Sequence, residues 1–476
     1  MKKTFIIAGL LGLSAVTFGQ QNLVTQYPEE LYQYGGSGSM GGTARFQSMS
    51  GAMGALGGDL SAVSINPAGA AVFLNSEGAI TAGVNMSKYD LGNHAGDKFS
   101  DSKFNLDQLG AVLVFDQLNS SNWRNVAIAM NYQNSNIVNE ALKFTPNTSN
   151  VNGDRMSEYY TERSGSSSVT SIDVAANYQD KIYIGGGFKF HTFEALNFEA
   201  MRVFESAYDN SYNYIKDFTP NSRVGSGVSA SVGIIGKVNQ NLRLGASYQS
   251  PTWYVDNEEV LREYAMYNGS DSEGDYYYIS SEQKLYLNDL TSAHKFTGSA
   301  ALVLGQQGLI SADYTYTDYS SAKFKPEDSF SPENQFIENA MKGTSSVKIG
   351  AEARFNDFRV RGGFRYEQSP FEETDLLGNG DKFQLFGDLT GFSLGAGYNF
   401  NNFYIDAAYS MYQRDRAYVV AGNFYDNRGS VSADEFTQEE ALNALSLNAA
   451  ERGFQQSLKD VKEQQGNIAL TVGFRF

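Results

Sequence analysis

The feature that most constrains this chain is an alternation of side chains with period two, repeated along most of its length. Successive residues of a β-strand point to opposite faces, so each run reads as a strand with two chemically different sides. In the stretch 392–400, Phe392, Leu394, Ala396, Tyr398 and Phe400 face one way, and Ser393, Gly395, Gly397 and Asn399 the other. After Asn401-Asn402 the pattern resumes, with Phe403, Ile405, Ala407, Tyr409 and Met411 against Tyr404, Asp406, Ala408 and Ser410. Ile182, Ile184, Gly186, Phe188 and Phe190 alternate with Gly185, Gly187, Lys189 and His191, and Phe358, Val360, Gly362, Phe364 and Tyr366 with Arg359, Arg361, Gly363 and Arg365.

Roughly 14 such segments can be traced: 78–88, 104–116, 124–134, 168–178, 181–208, 225–238, 241–258, 279–304, 308–319, 344–355, 358–366, 389–400, 402–412 and 466–476. Most are near the 9 to 11 residues that a tilted strand needs to cross a bilayer. Their connections alternate in length. Short turns fall at 117–123, Gln179-Asp180, Asn239-Gln240, 305–307, Asn356-Asp357 and Asn401-Asn402. Long polar loops fall at 89–103, 135–167, 209–224, 259–278, 320–343, 367–388 and 413–465. Short turns on one rim and long loops on the other are the outer-membrane pattern. A soluble sandwich has no reason to keep that alternation. The expected fold is all-β: a transmembrane antiparallel β-barrel of about 14 strands over 78–476, set in outer-membrane lipid of a Gram-negative cell. Its last strand places Ile468, Leu470, Val472, Phe474 and the terminal Phe476 on one face, a form that resembles the signal read by the barrel-assembly machinery.

The N-terminus reads as an address. Lys2 and Lys3 precede an apolar run, and Thr17-Phe18-Gly19 closes it with a small residue, so 1–19 is expected to be a secretory signal peptide. Beyond it, no run of apolar residues is long enough for a membrane helix. The composition excludes several classes. With no Cys, disulfides and thiolate metal sites are impossible, and the scattered His94, His191 and His294 have no ligand spacing, so neither a metal nor another cofactor is expected. A net charge of -17 argues against a nucleic-acid partner. The chain shows no nucleophile elbow, H-x-x-x-H pair or phosphate loop, so it does not read as an enzyme.

Residues 20–77 precede the first strand, and 35–71 are rich in Gly, Ala, Ser and Met without strand period. Irregular backbone at membrane depth is tolerated only inside protein or a watery lumen, so this part is expected to be a plug. It contains Gly51-Ala52-Met53-Gly54-Ala55-Leu56-Gly57-Gly58-Asp59, then Leu60-Ser61-Ala62-Val63-Ser64-Ile65 and Asn66-Pro67-Ala68-Gly69. This stretch resembles the hatch of the FadL family of outer-membrane fatty-acid and hydrocarbon transporters. Two strands leaving through Gln249-Ser250-Pro251 and Gln368-Ser369-Pro370 also look similar to that family. Independently of the family, Pro67 fixes its own φ and restricts Asn66, the Asn66 side chain can hold a turn, and Gly69 permits positive φ. The resemblance implies 14 strands, a hatch, passive uptake of hydrophobic small molecules, and sideways exit through a gap in the wall. Residues 20–34 are extra, and the third strand shows no kink beyond polar Asn131 and Gln133. The rival class is a FadL-like barrel serving as a secretion-system carrier or a surface adhesin; haem-compound uptake is a further alternative.

Two places are candidates for ligand contact. By period, Lys189, Arg243, Lys348, Arg354, Arg359, Arg361 and Arg365 face the lumen. They either meet a ligand carboxylate, for which Arg361, Arg365, Lys348 and Lys189 are the named residues, or form a network with Glu352, Asp313, Asp406 and Asp59. Above the barrel, Ser331-Pro332-Glu333 reads as a helix start followed by Phe336, Ile337 and Met341, and 434–463 carries an imperfect helical stripe of Leu442, Leu445, Leu447, Phe454 and Leu458. These faces either form a capture groove, with Phe336 and Leu445 as contacts, or pack on one another.

Overall fold

A computed structural model describes Glu29, Leu31, Tyr32 and residues 41–476 apart from 93–95, 98, 117–121, 145–155, 207–208, 269–275, 376–381 and 422–455. The signal peptide, most of the extension and Leu445 lie outside the described residues.

Fourteen antiparallel strands close into a barrel. They are β1 (Glu77–Asp90), β2 (Phe99–Asp116), β3 (Trp123–Phe144), β4 (Met156–Tyr178), β5 (Ile182–Ser206), β6 (Asp209–Lys237), β7 (Leu242–Gln249 and Trp253–Asn268), β8 (Tyr276–Thr291 and Lys295–Val303), β9 (Gly308–Asp318), β10 (Gly343–Phe355), β11 (Phe358–Glu367), β12 (Leu389–Asn399), β13 (Phe403–Ala421) and β14 (Gln456–Arg475). Closure is made by β1 against β14, in register from Glu77 opposite Arg475 to Asp90 opposite Lys462. The break in β7 falls at Pro251, which has no N–H to give a ladder. The facing break in β8 is stitched by Thr252 N to Ser292 Oγ and Ser292 N to Thr252 O, each at 2.9 Å.

The wall has the inverse polarity of a soluble protein. Phe188, Phe190, Leu394, Leu470 and Phe474 are exposed, while the alternating Lys189, His191, Ser393 and Thr471 are buried. An apolar outside and a polar inside are the faces of a barrel in lipid. At the short-turn rim, aromatic rings gather: Trp123 with Tyr178 at 5.2 Å, Tyr398 with Phe400 at 4.6 Å, and Phe400 with Phe403 at 4.5 Å between centroids. Aromatic girdles of this kind mark a membrane interface. The protein is thus an outer-membrane β-barrel.

At the short turns the strands end where the sequence pattern puts them, but they run further toward the long loops. Parts of the expected loops 135–167, 209–224 and 413–465 are strand. The ladder hydrogen bonds continue past the apolar belt, where the outer face no longer meets lipid and the sequence need not alternate apolar with polar residues. For the same reason 456–463 is strand and not helix, with Leu458 opposite Val419. The helix expected after Ser331 is present as α3 (Ser331–Ala340), with Pro332 in its first turn; its cap is Phe330, without a side-chain hydrogen bond.

Residues 41–76 lie against the inward faces of strands around the barrel. They form α1 (Ala44–Ser48), α2 (Leu60–Val63) and a 3-10 turn (Pro67–Val72). Inward glycines let the backbone touch the wall. A β-carbon added at Gly363 would stand 2.5 Å from the Met49 carbonyl carbon, and one at Gly245 would stand 2.9 Å from the Gly54 oxygen.

Candidate functional site: a cationic lumen cavity beside a seam in the wall

The N-terminal segment is a set of short turns fixed by their own side chains. Thr43 caps α1 by accepting from Phe46 N at 3.1 Å, and its hydroxyl donates to Asp59. Asp59 caps α2 by accepting from Ser61 N at 2.9 Å. Asn66 Oδ1 accepts from Ala68 N at 3.2 Å, while its Nδ2 donates to Gly54 O at 2.9 Å and to Ile234 O of β6 at 3.1 Å. Asn66-Pro67-Ala68-Gly69 thus opens a 3-10 turn capped by the Asn66 side chain. Gly69, however, does not take positive φ. It is required by close approach, since a β-carbon there would lie 3.1 Å from the Gly57 α-carbon.

The segment is anchored to the wall by polar contacts. Asp313 of β9 accepts from the backbone of Met53 and Gly54 at 3.0 and 2.9 Å. Ala44 N donates to Thr471 of β14 at 2.7 Å. Arg45 reaches Glu352 of β10 at 3.1 Å, and Glu352 also receives Arg354 at 2.8 Å and Arg361 at 2.7 Å. Arg361, fully buried, makes a second pair with Asp406 at 2.6 Å. Arg361 is therefore part of the ion-pair network and does not line the cavity above it. Asp313 and Asp59, expected in that network, serve backbone amides and Thr43 instead.

Above the segment lies a cavity of about 250 Å³. Phe46, Ser64 and Ile65 form its floor, and Leu31 and Tyr319 line its upper part. Lys189, Lys348 and Arg365, three of the residues named from the sequence, meet here, joined by Lys295, His191 and Glu367. Lys189 Nζ donates to Ser64 O and Gln249 Oε1, both at 2.7 Å. Lys348 stands directly opposite Arg365 across β10 and β11. Like charges in facing positions are destabilising, and Glu367, 3.4 Å from Arg365, offsets part of that cost. Ser167, Ser247, Thr297, Thr315 and Ser346 add hydroxyls. The cavity therefore suits a solute with an anionic or hydrogen-bonding end. Lys295 was not legible in the sequence, because it follows the break in β8 where the period is interrupted.

Phe336 lies elsewhere. Its helix α3 buries Ile337 and Ala340, and Phe336 packs partly exposed on an apolar cluster that includes Tyr32, Tyr319, Phe330, Phe371 and Phe386. α3 thus packs on this cluster, and most of the second stretch named with it, 434–455, lies outside the described residues.

One side of the cavity is formed by Gln133, Ser135 and Asn136 of β3, and here the wall changes. β2 pairs with β3 only from Gln108 opposite Gln133 down to Asp116 opposite Asn125. Above that point β2 still pairs with β1, but Asp107 bulges out of register between Thr81–Gln108 and Ala82–Leu106. Among the described residues no backbone pair joins 99–107 to 134–142. The strand edges meet again through a short strand, Gly96 opposite Phe144 and Asp97 opposite Lys143. The result is a seam of roughly nine residues a side, or about 30 Å of strand. Among the described residues side chains cross it: Asn134 donates to Asn105 at 2.8 Å and Asn139 to Asp101 at 2.7 Å. Asp107, turned inward, accepts from Gln47 at 3.0 Å and Asn467 at 2.6 Å. Phe104 and Leu106 stand exposed on the outer side of the seam.

Comparison with solved structures decides the fold family. A FadL homologue from Pseudomonas aeruginosa aligns over 92% of this chain and 98% of its own, with TM-score 0.56 and 14% identity. The toluene transporter TbuX of Ralstonia pickettii aligns over 92% and 99%, with TM-score 0.54 and 15% identity, and the toluene transporter TodX of P. putida over 92% and 99%, with TM-score 0.55 and 12% identity. The fold is of the FadL type. At these identities the likeness is one of fold alone. No family model and no curated protein matches the sequence.

Proposed function

We propose that this barrel takes up hydrophobic small molecules passively, from the long-loop side to the cavity and then sideways through the seam between β2 and β3. The observation that carries this reading is the shared lining: Gln133, Ser135 and Asn136 face the cavity and border the stretch where the wall has no backbone ladder. An unpaired stretch of wall held by side chains opens at far smaller cost than a ladder, whose groups would be left unsatisfied in lipid. Residues 41–76 act as the hatch that closes the straight route to the periplasm. The likeness of fold to transporters of toluene supports the hydrophobic class. The cations around the cavity favour an amphiphile with an acidic end, such as a long-chain fatty acid, over a bare hydrocarbon, because a charge-assisted contact is strong where water is scarce.

The test is transport across liposomes. Since the chain has no cysteine, Asn105→Cys with Asn134→Cys introduces one pair of thiols across the seam. Cross-linking them with a short bifunctional thiol reagent should stop uptake of a fluorescent fatty acid, and cleaving the link should restore it. Undiminished uptake through the cross-linked barrel would sink the lateral route.

A further inference from the structure

We propose that the outer mouth of the barrel is a peptide-binding site, filled here by the chain's own Glu29, Leu31 and Tyr32. The three side chains are buried among residues of the strands and long loops, not among those of the 41–76 segment. Glu29 accepts from Arg163 of β4 at 3.1 Å and from Arg416 of β13 at 2.9 Å. Arg416 is held in turn by Glu140 of β3 at 2.8 Å and lies 4.7 Å from the Phe386 ring. Tyr32 sits in an aromatic cage, with ring centroids 5.4 Å from Tyr319, 5.9 Å from Phe371 and 5.5 Å from Phe386. Its hydroxyl donates to Glu367 at 3.2 Å, and the Arg414 guanidinium lies 5.5 Å from its ring.

Each contact is of a kind used to recognise a ligand. A carboxylate between two arginines gives charge-assisted bonds, and an aromatic cage with a guanidinium alongside holds a ring. The receiving groups all belong to the barrel and the incoming groups to a short stretch ahead of it, so the arrangement is that of a receptor and a tethered ligand. Leu31 also lines the lumen cavity. The segment therefore stands at the upper end of the cavity, on the path of a solute entering from the long-loop side. That consequence rests on the uptake reading; the binding site does not.

The test uses a fluorescent synthetic peptide spanning residues 26–34, with binding read by anisotropy on detergent-purified protein and folding read by heat-modifiable migration on gels. A variant lacking residues 20–34 should bind the peptide. The full chain should bind it at least roughly tenfold more weakly, because a tethered copy competes at an effective concentration on the order of millimolar. Full-length protein with Glu29→Gln, Leu31→Ala and Tyr32→Ala should behave like the deletion. A folded variant that ignores the peptide, or equal binding by variant and full chain, would overturn the proposal. So would loss of the folded band in both variants, since the segment would then be an integral part of the barrel. If the peptide binds but no hydrophobic solute crosses liposomes, uptake fails and the peptide site stands.

Discussion

Gly185 of β5 faces Pro67 so closely that a β-carbon on it would stand 2.6 Å from the Pro67 carbonyl carbon. The neighbouring strand repeats the arrangement, with Gly233 under Asn66. The Asn66-Pro67-Ala68-Gly69 turn is therefore seated on bare backbone. Gly185→Val should push it off the wall. The strand itself should hold, since valine suits a β-conformation. The expected outcome is a barrel with normal heat-modifiable migration and faster proteolysis between residues 41 and 76. An unchanged digestion pattern would mean that the turn accommodates the side chain.

Loosening the turn from within gives a second expectation. Pro67→Gly removes the fixed φ at the start of the 3-10 turn but leaves every strand pair in place. Single-channel recordings in planar bilayers should show larger or longer openings than the parent. Identical conductance would place the block to ion flow elsewhere in the lumen.

Arg361 and Lys348 both face inward, yet opposite results are expected from them. Arg361→Ala strips Glu352 and Asp406 of a fully buried partner, a loss of about 3–5 kcal/mol for a buried pair. It should lower the denaturant midpoint of the purified barrel and affect acidic and neutral ligands alike.

Lys348→Gln should leave stability nearly unchanged or raised, because it relieves the facing pair with Arg365. It should weaken binding of a fatty acid while sparing the corresponding alcohol. A charged hydrogen bond contributes roughly 1.5–3 kcal/mol, so about tenfold or more should be lost for the acid. Equal loss for acid and alcohol would remove the cavity's cations from ligand recognition.

Strand existence was legible because lipid imposes the alternation. The ends at the short turns follow the pattern within a few residues, while the ends at the long loops do not. Asn139 opposite Ser164 is a ladder pair between two polar stretches, and nothing in those residues distinguishes strand from loop. The seam left a trace that the period of β3 alone does not reveal. In β2 the outward apolar positions are even at Phe104 and Leu106 and odd at Leu109, Leu113 and Phe115. The phase slips at Asp107, where the bulge sits. The cavity cations were legible one strand at a time; that Lys189, Lys295 and Lys348 share one cavity while Arg361 lies below it depends on barrel stagger and on the space taken by Arg45 and Glu352. Contacts of Glu29 and Tyr32 were beyond reach, since residues of the barrel more than a hundred positions away create their surroundings.

The bond from Ala44 N to Thr471 spans 427 residues of sequence, and β1 closes on β14 in the same region. The N-terminal segment precedes in sequence every strand that holds it, and one of its anchors is on the last of them. Its seat spans strands early and late in the chain, so it has no complete binding surface until the final strand arrives. Contacts this distant in sequence make folding slow. Completing the seat of the segment therefore waits on closing the wall. A chain halted short of residue 471 would carry an unsecured N-terminus and two open sheet edges, the state in which edge-to-edge aggregation is most probable.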